Sequence, residues 1–149
     1  MKTPIEFKVM KIKECVASDC LIDTPEKASE YWKANIPSST WFDPAKEIFI
    51  VLVLNTRHKI IGHNLVAIGC LDSVYIHPRE VFRPIIVAAG AATILMHSHP
   101  SGNSMPSEAD IKVTRDLIKA GQLLKIEILD HVIVGDHYTS LRELGYFYT

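Results

Sequence analysis

Apolar and polar positions in the first half of the chain predict a strand, a helix and a β-hairpin. Residues 5–12 alternate apolar with charged side chains, which is typical of a half-buried strand. Residues 23–25 place a capping side chain before a proline, which indicates a helix start, and we expect this helix to end near Ala34. Residues 47–54 are almost wholly apolar and branched, which favours a strand covered on both faces. A polar turn then predicts that a second strand at 60–68 pairs with it in a hairpin.

The second half of the chain predicts two helices and two further strands, so the order of elements is mixed α/β. A helix is expected over residues 78–92, but Pro84 removes a hydrogen-bond donor, so the helix either kinks there or begins later. Residues 92–97 predict a buried strand, Ser107 opens another helix, and residues 125–134 form a last strand. The apolar face expected for the helix after Ser107 comprises Val113, Leu117, Ala120 and Leu124.

Composition and charge argue against several classes of protein. A length of 149 residues and a hydrophobic content of 48% fit one domain over residues 1–149 with its own core. The net charge of −1 lacks the basic excess expected of a strong general nucleic-acid binder. The longest uncharged apolar stretch, at 85–96, is shorter than the roughly 20 residues that a membrane span needs. Three cysteines without a C-x-x-C pair favour reduced thiols and a cytoplasmic location.

The segment that indicates chemistry is HSHPSGNSMPSEAD, residues 97–110. His97 and His99 are two residues apart at the end of a predicted strand, so their imidazoles project to the same side. Asp110 falls in the first turn of the next helix, and the short intervening loop can bring that turn back over the histidines. Two neutral imidazoles and one carboxylate make a three-ligand zinc site, whose fourth position stays open for water as catalytic zinc requires.

A simpler interpretation of the same residues is a helix cap. Ser107-x-x-Asp110 is an ordinary capping box, in which the carboxylate of Asp110 only satisfies backbone N–H groups. A His-x-His pair is weak evidence by itself, because histidines at strand ends often serve packing or hydrogen bonding. Both interpretations stay open, although the strand, the histidine pair, the loop and the helix start occur in an order that a metal site requires.

This arrangement resembles the H-x-H-x(10)-D core of JAMM (MPN+) metalloproteases, and most closely their RadC-like branch. Ser98 stands where that branch usually has asparagine, a change that lies between the ligands. Further matches lie at residues 71–73, 77–81 and 129–136, and the resemblance covers roughly residues 5–146. It implies an α/β fold of the JAB/MPN (cytidine deaminase-like) type, in which a mixed β-sheet is flanked by helices in three layers.

The resemblance also implies a function and residue roles. JAMM enzymes hold one zinc ion per chain on the two histidines and the aspartate, and use a metal-activated water to cleave a peptide or isopeptide bond. Glu47 occupies the place of the general base, and Glu80 is the alternative. Ser107 resembles the serine that stabilises the oxyanion, a role open to its hydroxyl only if the helix cap does not consume it. His131, in the predicted last strand, is expected to be a satisfied core histidine rather than a fourth ligand.

Two other functions are weighed against hydrolysis. A deaminase is disfavoured because the chain lacks the His-x-Glu and Pro-Cys-x-x-Cys segments of zinc deaminases. The main alternative is a non-catalytic or DNA-associated role, since RadC-like proteins carry a DNA repair label. Basic residues that could line one face are Arg79, Arg83, Lys112, Arg115 and Lys119. A solvated helix surface explains them equally well, so an unidentified protein or peptide substrate is the favoured partner over DNA.

Overall fold

Residues 3–6, 20–69 and 76–147 are described by the computed structural model of this chain. The elements within them are α1 (Pro25–Asn35), β1 (Ile48–Leu54), β2 (Ile60–Ile68), α2 (Pro78–Val87), β3 (Ala92–Ser98), α3 (Glu108–Leu124), β4 (Glu127–Val134) and β5 (Tyr138–Ser140). The predicted strand at 5–12 lies almost wholly outside the described residues, as do Cys15, Cys70 and the matching segment at 71–73. None of the helices in the described ranges is long and apolar enough to cross a membrane.

The strands form one mixed sheet in the order β2-β1-β3-β4-β5. β1 pairs antiparallel with both β2 and β3, β3 runs parallel to β4, and β5 returns antiparallel along β4. Two parallel neighbours need a crossover connection, and α3 supplies it between β3 and β4. The predicted hairpin of β1 and β2 is confirmed, and so is the mixed sheet flanked by helices.

β1 is buried along its whole length because both faces of the sheet are covered. Successive side chains of a strand point to opposite faces. The even-numbered residues of 48–54 pack in a core with α1, whereas the odd-numbered ones pack with α2 and α3. The fold therefore has three layers, and the sequence prediction of a strand covered on both faces is confirmed.

α2 ends at Val87, earlier than the predicted end at Ala92. It begins at its predicted residue and contains Pro84, so the alternative of a later start is wrong. Ala89 adopts a φ of 56°, in the left-handed region, and the chain reverses there. The reversal is required because residues from Ala92 onward pair with β1, and sheet pairing overrides the continuous apolar run.

The end of α3 also differs from the prediction. Leu124, the last residue of the predicted apolar face, is 47% exposed, and Gly121 is buried in its place. A Cβ at Gly121 would lie 2.5 Å from the carbonyl oxygen of Ile126, so only glycine fits where the chain turns into the sheet. Lys125 takes a left-handed conformation at this turn, and β4 therefore begins at Glu127 rather than at residue 125.

Candidate metal centre

β3 and α3 bring three side chains together at the carboxyl end of β3. His97 lies near the end of the strand, His99 follows directly after it, and Asp110 lies in the first turn of α3. The loop between strand and helix returns the start of α3 to the strand end that it has just left. These three residues, called here the His–His–Asp cluster, are the three metal ligands predicted from the sequence.

The ligand atoms of the His–His–Asp cluster are separated as in a metal coordination shell. Nε2 of His97 lies 2.9 Å from Nε2 of His99 and 3.2 Å from Oδ1 of Asp110. Nε2 of His99 lies 3.2 Å from Oδ2 of the same carboxylate. Tetrahedral zinc, with Zn–N distances of about 2.0–2.1 Å, holds its ligand atoms roughly 3.3 Å apart. The side chains of His97 and Asp110 are 0% and 3% exposed and that of His99 is 12% exposed, so His99 lies on the solvent side.

The hydrogen bond made by Nδ1 of His99, the ring nitrogen that faces away from the cluster, determines which nitrogen of the ring carries the proton. Nδ1 of His99 is 2.8 Å from the carbonyl oxygen of Asn103, which can only accept. The proton of the neutral imidazole is therefore on Nδ1, and Nε2 presents a lone pair to the carboxylate of Asp110. Unprotonated nitrogen atoms and carboxylate oxygen atoms that converge in a buried place are stabilised by a cation. This set of metal-binding atoms therefore fits zinc.

Burial and hydrogen bonding set the charge states that metal binding requires. Burial lowers the pKa of His97, and this effect outweighs the neighbouring carboxylate that would raise it. Burial alone would raise the pKa of Asp110, but hydrogen bonds to its carboxylate, including one from the backbone N–H of Ser107, hold it well below its usual value. A neutral imidazole beside an ionised carboxylate is the form in which both residues bind a metal ion.

Acidification from pH 7 to pH 5 is expected to destabilise the metal-free protein. Burial lowers the pKa of both His97 and His131, so the unfolded chain takes up protons below about pH 6.5 that the folded chain does not. The free energy of unfolding should therefore fall as the pH falls through this range. Urea unfolding of chelator-treated protein at pH 7, 6 and 5 checks this, with His137→Asn, which replaces an exposed histidine, as the control for loss of an imidazole. Equal or greater stability at pH 5 would contradict it.

Ser107 and Asp110 form the predicted capping box, and the same carboxylate also belongs to the His–His–Asp cluster. The Asp110 N–H donates to Oγ of Ser107 over 3.1 Å, and the Ser107 N–H donates to Oδ2 of Asp110 over 2.8 Å. The cap thus fixes the carboxylate so that it faces the two histidines. A hydroxyl that accepts one N–H still has its own O–H to donate, so the oxyanion role of Ser107 stays a prediction.

The loop that carries His99 is held against the turn between β4 and β5. The His99 N–H donates to the carbonyl of Val134 over 2.8 Å, and the Asp136 N–H donates to the carbonyl of Gly102 over 2.8 Å. Gly135 lies in this contact, where an added Cβ would be 2.4 Å from the carbonyl oxygen of Gly102. The two backbones approach so closely that no side chain fits between them.

Gly135→Ala is therefore expected to displace the loop that positions His99. Overpacking of this kind costs about 1–3 kcal/mol of unfolding free energy, and zinc affinity should fall with it. Thermal unfolding and zinc competition measure the two effects. Gly62→Ala is the matched control, because a Cβ at Gly62 meets nothing within 4 Å. A Gly135→Ala protein as stable and as tight for zinc as Gly62→Ala would show that the close contact is unimportant.

Glu47 directly precedes β1, beside the strand that carries the histidines. Phe49 pairs with His97 at the end of this antiparallel ladder, and Glu47 precedes Phe49 by two residues. Residues paired across two strands point to the same face. The ring of Phe49 stacks on that of His97 with centroids 6.0 Å apart, and the charge of Glu47 acts to raise the pKa of His97. The Ile48 N–H donates to Oγ of Ser98 over 3.1 Å, so the serine fixes the start of β1 next to Glu47.

Glu80, the alternative general base, lies in the first turn of α2. Its carboxylate is 2.7 Å from Nη2 of Arg83 and 3.8 Å from Nε of Arg79, and all three side chains are more than a third exposed. Exposed ion pairs of this kind contribute roughly 0–1 kcal/mol to stability. A surface ion pair accounts for Glu80, and the choice between Glu47 and Glu80 as general base stays a prediction.

His63 and His131 lie outside the His–His–Asp cluster. His63 contacts the hydroxyl of Tyr31 through Nδ1 at 2.7 Å, between β2 and α1. His131 is a buried, hydrogen-bonded core residue as expected, and its Nε2 lies 2.7 Å from Nδ1 of His97, the nitrogen that faces away from the cluster. The other nitrogen of His131 is hydrogen-bonded to Thr114, a residue that no sequence motif indicated. Its only sequence signal is a position one helical turn after Asp110.

Comparison with known proteins identifies the family. Residues 22–146 match the family described as the RadC-like JAB domain. A UPF0758 protein of Methanosarcina mazei is 46% identical over 102 residues, which make up 68% of this chain and 44% of that protein. A UPF0758 protein of Bacillus cereus strain AH187 is 45% identical over 102 residues, which make up 68% of this chain and 45% of that protein. The chain thus spans less than half the length of these relatives. From its sequence match, its three-layer fold and its His–His–Asp cluster, the chain belongs to the RadC-like JAB domain family.

Proposed function

We propose that this chain is a zinc-dependent hydrolase of the JAMM type that cleaves a peptide or isopeptide bond. The observation that carries the proposal is the buried His–His–Asp cluster, whose ligand atoms lie within 3.2 Å of their neighbours. The donor set also supports it, since two imidazoles and one carboxylate leave a tetrahedral zinc one position for reaction.

His97, His99 and Asp110 would hold the metal ion. Zinc bound by three protein ligands supplies a nucleophile at neutral pH and polarises a carbonyl group. Glu47 takes a proton from the attacking water and gives it to the leaving amine, so that the acid and the amine are the final products. Ser107 donates a hydrogen bond from its hydroxyl to the carbonyl oxygen as negative charge develops there, aided by its place at the N-terminus of α3.

A cleavage assay on the zinc-loaded protein tests this function. Panels of peptides and of isopeptide-linked lysine conjugates are incubated with zinc-loaded protein and with chelator-treated protein, and new termini are identified by mass spectrometry. We expect cleavage that chelation removes and added zinc restores. DNA binding that weakens with salt and survives chelation, with no zinc-dependent cleavage, would instead support the DNA-associated alternative.

A further inference from the structure

A buried chain of hydrogen bonds connects His97 to the backbone of α3. Nδ1 of His97 lies 2.7 Å from Nε2 of His131, and Nδ1 of His131 is hydrogen-bonded to Oγ1 of Thr114. The Thr114 hydroxyl donates to the carbonyl of Asp110 over 2.7 Å. The side chains of His97, His131 and Thr114 are at most 1% exposed, so water cannot replace any of these hydrogen-bond partners.

The carbonyl of Asp110 determines which atom is the donor in each of these hydrogen bonds. A carbonyl only accepts, so the hydroxyl proton of Thr114 points to it, and Oγ1 is left to accept from Nδ1–H of His131. A neutral imidazole carries one N–H, so Nε2 of His131 has no proton and accepts from Nδ1–H of His97. The remaining nitrogen of His97, Nε2, therefore presents a lone pair to the His–His–Asp cluster.

We propose that Thr114 and His131 are positioning residues that lock His97 in the tautomer able to bind a metal ion through Nε2. This inference rests on the zinc site proposed above. The reverse direction would leave the proton of His97 on Nε2, the atom that must bind the metal, 2.9 Å from Nε2 of His99. Outer partners that orient metal-binding histidines in this way typically change metal affinity by 10- to 100-fold.

Substitution of Thr114 tests whether the chain of hydrogen bonds controls metal affinity. Thr114→Val keeps the shape of the side chain but can neither donate to Asp110 nor accept from His131. We expect it to weaken zinc binding by roughly 10- to 100-fold, measured by competition with a chromogenic chelator. Thr114→Ser restores the hydroxyl and should restore the affinity.

Thr93→Val is the matched control for a merely structural effect. Thr93 is as fully buried as Thr114, lies in β3 with His97, and donates its hydroxyl proton to the carbonyl of Leu52 over 2.6 Å. This change removes one buried hydrogen bond of the same kind but leaves the path from His97 to Asp110 intact. Its zinc affinity should equal that of the wild type. A Thr93→Val protein weakened as much as Thr114→Val, or a Thr114→Val protein with wild-type affinity, would overturn the proposal.

The ring nitrogens can also be read directly in the wild-type protein. In protein with ¹⁵N-labelled histidine, we expect His131 to carry its proton on Nδ1 and to show a coupling across the hydrogen bond from Nδ1 of His97. A proton on Nε2 of His131 would overturn the proposal. If the wild type binds no zinc, the proposed hydrolase function is contradicted, and the same spectra of the metal-free protein still decide the direction of the hydrogen bonds.

Discussion

Asp110→Asn is expected to remove zinc from the protein while leaving α3 in place. The substitution takes away the only carboxylate of the His–His–Asp cluster, so affinity should fall by more than the roughly 10- to 100-fold typical of an outer partner. The asparagine oxygen can still accept from the Ser107 N–H, and the backbone N–H of residue 110 still donates to Oγ of Ser107, so the capping box survives. Metal analysis after equal dialysis of variant and wild type measures the loss.

Ser107→Ala tests the helix-capping role separately from the metal-binding role. It removes the hydroxyl that accepts the Asp110 N–H, which should lower unfolding free energy by about 1 kcal/mol, but it leaves all three metal ligands. We expect this variant to be less stable and still to contain zinc. Zinc lost from Ser107→Ala but retained by Asp110→Asn would mean that Asp110 acts only as a helix cap and that the metal lies elsewhere.

Glu47→Gln is expected to lower kcat/KM for hydrolysis by about 10²- to 10⁴-fold without releasing the metal. Glutamine preserves the size of the side chain but cannot accept a proton from water. Since Glu47 is not one of the three ligands, zinc content should equal that of the wild type. The rate is measured on a substrate found in the cleavage panel, and zinc is measured on the same preparation.

Glu80→Gln is the matched control for Glu47→Gln. It makes the same chemical change in a carboxylate that is engaged with Arg83 on the surface of α2. Hydrolysis should stay near the wild-type rate, because loss of an exposed ion pair costs little. The opposite pattern, with Glu80→Gln inactive and Glu47→Gln active, would assign the proton transfer to Glu80.

The pattern of apolar and polar residues was sufficient to predict the helices and strands of this fold wherever buried positions recur at a regular spacing. β1 is found within one residue of its predicted bounds, because a strand covered on both faces has no polar positions. β2 is found at its predicted bounds as the second arm of the hairpin. The end of α2 and the start of β4 were wrong, since sheet pairing fixes both. β5 was not predicted, because its three residues have no hydrophobic period of their own.

The site was predictable to the extent that its residues are close in sequence. His97, His99 and Asp110 lie within one strand–loop–helix unit, so their spacing alone brings them together. Thr114 and His131 are 17 residues apart, and His131 and His97 are 34 apart. Their contacts depend on the parallel pairing of β3 with β4 and on how α3 packs, which no local pattern encodes.

Zinc-edge anomalous diffraction from crystals of the zinc-reconstituted wild-type protein tests the central claim most directly. We predict one peak per chain, about 2.0–2.2 Å from Nε2 of His97, Nε2 of His99 and one carboxylate oxygen of Asp110. The absence of a peak among these three residues after reconstitution, or a zinc ion bound only elsewhere on the chain, would contradict the claim.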